Sequence, residues 1–142
     1  MYRTILVPVD LSEDGFSDKV IKQAAQLLDN DGQLWLLNVV PGYQMPMVGS
    51  FFPKGSFEHF GKVAKQQLKE FADKHLGDSG LNYSLLVKEG KPADVILKYA
   101  AKHKVELIAL ASHKHSRVSE GMLGSVANKV VSRAPIPVLV VK

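Results

Sequence analysis

Five apolar runs of strand length, each parted from the next by a helix-length amphipathic stretch, leave this chain few ways to fold. The runs are Arg3–Asp10 (RTILVPVD), Gln33–Val40 (QLWLLNVV), Leu81–Lys88 (LNYSLLVK), Glu106–Ala111 (ELIALA) and Ile136–Val141 (IPVLVV). Such runs are too short for buried helices and too continuously apolar for strands with one wet face. Between them, apolar residues recur at helical spacing over Phe16–Leu28, Ser56–Leu76, Ala93–His103 and from Ser125 through Arg133. Turn chemistry agrees: Asn30-Asp31-Gly32 and Gly77–Gly80 stop helices, and Pro92 opens one where its missing N–H is harmless. Ser12, Asp14 and Ser17 are placed to cap the first helix.

Strands alternating with helices call for a parallel sheet, and right-handed crossovers wind it on both faces. The expectation is one α/β domain over residues 1–142: a doubly wound, Rossmann-like five-stranded parallel sheet, order 3-2-1-4-5, with helices on both faces. Its topological switch falls between the first and fourth strands, where ligands bind outside the carboxyl ends. Those ends are Val9-Asp10 and Ala111-Ser112.

Composition narrows the setting. No apolar run approaches the ~20 residues that span a bilayer, and nothing N-terminal has the pattern of a signal peptide. Without cysteine there are no disulfides and no thiolate metal sites, so a cytoplasmic protein with no membrane partner is expected. The net charge of +4 suits a phosphate-bearing ligand. It is too small and dispersed to argue for nucleic acid, and none is expected.

The stretch Leu107–Val131 (LIALASHKHSRVSEGMLGSVANKVV) gives the ligand a place. A strand leads into a basic loop, and Gly124-Ser125 then opens a helix. Free backbone N–H groups and the positive end of a helix dipole gather there, which is how proteins bind phosphate. Gly124 lets the backbone approach closely, and Ser125 adds a hydroxyl. His113 and His115 have no carboxylate or cysteine at metal-ligand spacing, so no metal is expected. The loop Pro41–Gly55, rich in Gly, Pro, Met and Phe, is longer than most connections and reads equally as a lid or as an insertion.

Several features together resemble the universal stress proteins, above all the single-domain bacterial branch with a Ser-His-Arg-like loop. They are the first strand ending Pro-Val-Asp, the Gly-Lys-Pro-Ala turn at Gly90–Ala93, and the run from Leu-Gly-Ser to the Pro-Ile-Pro-Val-Leu-Val-Val finish. Nucleotide-binding members carry a glycine, two residues, a second glycine, nine residues and then Gly-Ser or Gly-Thr. Here the spacing is intact and Gly124-Ser125 closes it, but Ala111 and Lys114 stand where the early glycines belong.

The resemblance implies ATP or AMP, with or without Mg2+, held by Pro8, Val9, Asp10, Val39, Ala111, Ser112, His113, Lys114, Gly124, Ser125 and Val126. In that scheme Asp10 lies beside the ribose and base, Val39 meets adenine through its backbone, and Lys114 reaches a phosphate as a point charge. The same residues have plainer roles open to them: Asp10 as a helix cap, Val39 as core, Ser125 as an N-cap.

No nucleophile stands with a base, and no acid pair is placed to hold magnesium for phosphoryl transfer, so a binding protein rather than an enzyme is expected. A phospho-acceptor receiver domain would need clustered acids, an Asp ending the third strand and a final helix. Lys88-Glu89 and the ending at Lys142 supply neither. The expected function is a nucleotide-binding stress regulator. The alternative is a dimeric interaction module that kept the fold and lost the ligand. Val138–Val141 is an apolar edge strand, and pairing with a second copy would cover it, giving a homodimer beside an unidentified protein partner.

Overall fold

The structure, a computed structural model, describes residues 1–12, 15–40, 56–112 and 123–142, with the side chains of 56–60 set aside. The elements in order are β1 (Tyr2–Pro8), α1 (Asp18–Leu27), β2 (Leu28–Val40), α2 (Ser56–Leu76), β3 (Asn82–Glu89), α3 (Pro92–Lys102), β4 (Leu107–Ala111), α4 (Ser125–Arg133) and β5 (Val138–Val141). All strand pairs are parallel, and the order is β3-β2-β1-β4-β5. The doubly wound sheet expected from the apolar runs is the sheet observed. Among the described residues, no helix is long and apolar enough to cross a membrane.

Period-two alternation divides the strand residues between two cores. Ile5, Val7 and Val9 of the first strand segment join Leu34 and Leu36 beneath α1 and α2. Leu6 and Leu37 point the other way and join Ala93, Ile96, Ala100, Ala127 and Val130 of α3 and α4. Ile5, Leu6 and Val7 are all fully buried, which only a sheet covered on both faces permits.

Helix boundaries and faces follow local chemistry. Pro92 opens α3 as expected. Ala64, Leu68, Ala72 and Leu76 make an i, i+4 stripe that buries α2 against α1 and the sheet. Val63, expected on that face, is 40% exposed, because it lies one helical step to the side of the stripe.

The Asn30-Asp31-Gly32 stop falls inside β2 rather than between α1 and a later strand. The register explains how. Tyr2 pairs with Leu28 and Thr4 with Gln33, so a short step on β1 faces a long excursion on β2 that contains the turn residues. Gly32 is required there, since a Cβ would lie 2.8 Å from the Arg3 carbonyl oxygen. The turn therefore occurs as a bulge.

Trp35, on the α3 side of β2, stacks on His103 with ring centroids 3.9 Å apart and planes 20° from parallel. The imidazole Nε2 is buried with no hydrogen-bond partner among the described residues. Stacking holds this ring in place.

Loss of side-chain volume should separate the two α2 positions cleanly. Leu68→Ala is expected to lower unfolding free energy by about 2–5 kcal/mol, with Val63→Ala within about 0.5 kcal/mol of the parent, both read from urea denaturation.

Candidate functional site

The crevice at the switch point arises because the middle of β1 pairs only with the amino-terminal end of β4. Glu106 joins them at the base: its N–H donates to the Thr4 carbonyl (3.0 Å), and its Oε1 accepts the Arg3 N–H (2.7 Å). Pairing continues through Ile5–Leu107 and Leu6–Ile108. Beyond that, β1 stays with β2 as far as Pro8–Leu37, while β4 stays with β5 as far as Ala111–Val141. Each strand keeps its outer partner, and the gap between them opens toward the carboxyl ends.

One wall of the crevice is the end of β1. Val9 is buried in the core; its N–H donates to the Leu37 carbonyl (2.8 Å), and its carbonyl accepts the Asn38 side-chain amide (2.9 Å). Asp10 follows in a built turn. Its Oδ1 accepts both the Ser12 N–H (2.9 Å) and the Ser12 hydroxyl (2.5 Å). Ser17, buried at the start of α1, does not cap that helix. Its Oγ accepts the Asp10 N–H at 3.1 Å and lies 3.4 Å from the Asp10 carbonyl, to which it donates. The serine expected to cap α1 instead fixes the backbone of the acid.

The opposite wall is Ala111-Ser112 and the start of α4. Ser112 is buried; its N–H donates to the Val141 carbonyl (3.0 Å), and its Oγ accepts the Gly124 N–H (3.3 Å). That last bond joins the end of β4 to the start of α4 across the intervening loop. Gly124, not Ser125, is the N-cap, with extended backbone. Ser125 is the first helical residue and is exposed, so the N-cap role open to it in the sequence is not the one it takes.

The N–H groups of an opening helical turn have no acceptor within the helix, and α4 adds no side-chain cap from among the described residues. Its first turn carries no acid, whereas α1 and α3 carry Asp18 and Asp94 at that position. Among the described residues, no acid in the first turn neutralises the positive end of α4 beside the crevice. Half-buried Val126 flanks it, and half-buried Val39 stands near the end of β2, two residues beyond the Pro8–Leu37 pair.

The structure brings together Pro8, Val9, Asp10, Ala111, Ser112, Gly124, Ser125 and Val126 around the switch point, with Val39 one strand further out. His113 and Lys114 lie outside the described residues, as do His115, Arg117, Glu120 and the 41–55 loop. Ser12 and Ser17, expected as caps of the first helix, position Asp10 instead, and Asn38 is a positioning residue that the sequence did not single out. Asn38 had a signal, being the one amide in the apolar run LWLLNVV. Asp10 and Ser17 also line a cleft of about 280 Å³ between the start of α1 and α2.

Ser112→Ala removes the acceptor of the Gly124 N–H. It is expected to cost about 1–3 kcal/mol in thermal or urea unfolding and to speed amide exchange at Gly124, read by NMR.

This architecture is shared with known proteins. The universal stress protein family model matches residues 1–142. Universal stress protein G of Salmonella typhimurium is 31% identical over 144 residues, covering 100% of both chains. The solved structure of protein MJ0577, from Methanocaldococcus jannaschii, has a TM-score of 0.80 at 28% identity over 100% of this chain and 96% of that one. The universal stress protein from Archaeoglobus fulgidus in complex with dAMP has a TM-score of 0.65 at 25% identity over 99% and 98%. Sheet order, crevice and similarity along the full length agree: this chain belongs to the universal stress protein family.

Proposed function

We propose that the crevice between β1 and β4 binds an adenine nucleotide, ATP or AMP, and that the protein serves as a nucleotide-responsive stress regulator. The observation that carries this reading is the start of α4, where an extended glycine cap and a first turn without an acid leave backbone N–H groups and dipole free for phosphate. Asp10, held by Ser12 and Ser17, is placed across the crevice to accept a hydrogen bond from a ribose hydroxyl or base amine. Val39 offers backbone groups to the base, and Lys114 adds a point charge toward the phosphates, with Mg2+ as counterion where ATP is bound. The Archaeoglobus fulgidus relative solved with dAMP supports the same ligand class.

The protein acts by binding rather than by dedicated catalysis, with Asp10 the acid placed at the crevice. A cytoplasmic home fits a chain without cysteine. One observation favours the second reading, a dimeric interaction module without ligand: Ala111 and Lys114 replace the paired glycines of nucleotide-binding members.

The hydrogen bonding of β5 supports dimerisation through this strand. The Pro137 and Val141 carbonyls accept from Ile108 and Ser112 of β4, so by alternation Val138 and Val140 turn their backbone groups to the open edge. A second copy would satisfy them across a two-fold axis.

Calorimetric titration of nucleotide-stripped protein with ATP and Mg2+, and with AMP, is expected to give saturable binding near one per chain. Ser125→Ala and Lys114→Ala should each weaken it about three- to tenfold. Silence from both nucleotides at several temperatures would leave the interaction module. Light scattering after size exclusion should give a dimer, and Val140→Pro, which removes an edge-facing N–H, should give a folded monomer. A parent chain that is monomeric at high concentration would sink the edge pairing.

A further inference from the structure

The +4 net charge is dispersed in the sequence, but the fold gathers part of it around one ring on the far side of β2 from the crevice. The Lys88, Lys98 and Lys102 ammonium groups lie 5.2, 5.6 and 5.5 Å from the Tyr99 ring centroid. Lys98 and Lys102 are one turn apart on α3. Lys88 comes from the end of β3, two residues beyond Leu86 and so on the same sheet face. Among the described residues, no carboxylate lies within ion-pair distance of any of the three. Like charges drawn to one place without counter-charges attract an anion.

The ring at the centre is the end of a stack. Tyr99 lies 6.2 Å from His103 with planes 24° apart, and His103 lies on Trp35 at 3.9 Å and 20°. Three near-parallel rings thus run from the β2 core to a half-buried tyrosine at the surface. The ammonium groups lie over the Tyr99 ring; a planar group stacking there would turn these flexible side chains aside to meet the phosphates next to it. Bases on an aromatic platform, with the backbone on basic side chains, are the means by which proteins hold single strands. An acidic peptide would use the charges and leave the ring idle.

We propose that the Tyr99 surface, with Lys88, Lys98 and Lys102, binds single-stranded nucleic acid, one base stacking on Tyr99 and its neighbouring phosphates on the lysines. The site adjoins the crevice at Val39, the register partner of Lys88, but uses different side chains and stands whether or not nucleotide binds there.

The test is fluorescence anisotropy of the whole chain with a labelled oligouridylate, which carries no adenine to enter the crevice. Saturable binding is expected, with log K falling against log salt at a slope of about −2, as three neutralised phosphates on a single strand require. Tyr99→Leu should weaken it about tenfold, and Tyr99→Phe should not. The combined Lys98→Gln and Lys102→Gln variant should bring the slope to about −1, and Ser125→Ala should leave binding unchanged. Three results would overturn the proposal. One is no binding at low salt; another is binding weakened by Ser125→Ala but not by Tyr99→Leu, which would put the oligonucleotide in the crevice. The third is competition by a polyglutamate peptide at equal charge with Tyr99→Leu having no effect, which would make the surface an acidic-protein contact.

Discussion

The crevice depends on β1 and β4 pairing over only a short stretch of their length. A parallel sheet buried on both faces must be wound in both directions from a central strand, and here that strand is β1. Winding outward from it sends β2 and β4 to opposite sides, each with its own outer partner. Register does the rest: two paired positions between β1 and β4, then divergence, with the ends of both strands facing one gap. No side chain is needed to create the crevice. Side chains determine only what it can hold.

Two buried serines define its walls. Ser17 reaches back from α1 to the Asp10 backbone, and Ser112 reaches forward from β4 to the Gly124 N–H. Each joins a strand end to a helix start, and each is buried where an unmet hydroxyl would be costly. The acid on one side and the bare helix start on the other are therefore held by the fold before any ligand arrives. Such preorganisation lowers the ordering cost of binding. An acid on one wall and a helix start on the other match a ligand that is anionic at one end and donates hydrogen bonds at the other.

Much of this was legible in the sequence, for physical reasons. Strands buried on both faces cannot hide their apolar runs, and Pro92 and the Gly77–Gly80 stop mark helix ends by backbone chemistry alone. Sheet order and switch point follow from handedness, which is why Val9-Asp10, Ser112 and Gly124-Ser125 could be placed together. Other features depend on pairing that leaves no local trace. A serine ahead of a helix reads as a cap, yet Ser17 turns to Asp10, and nothing in LSEDGFSD distinguishes the two roles. Asn30-Asp31-Gly32 has turn chemistry in either setting; only the β1 register makes it a bulge. Trp35, Tyr99 and His103 are brought together by crossover geometry, so their stack and its lysines have no periodicity to read.

The central claim is that an adenine nucleotide occupies the crevice between β1 and β4, with its phosphates at the start of α4. Backbone amide shifts in 1H–15N NMR spectra, recorded as AMP is added, test it residue by residue. The account predicts the largest changes at Gly124, Ser125 and Val126, with a second group at Asp10 and Val39 and little change at Tyr99 or His103. Saturating changes confined to any other surface, with the α4 start unmoved, would contradict it.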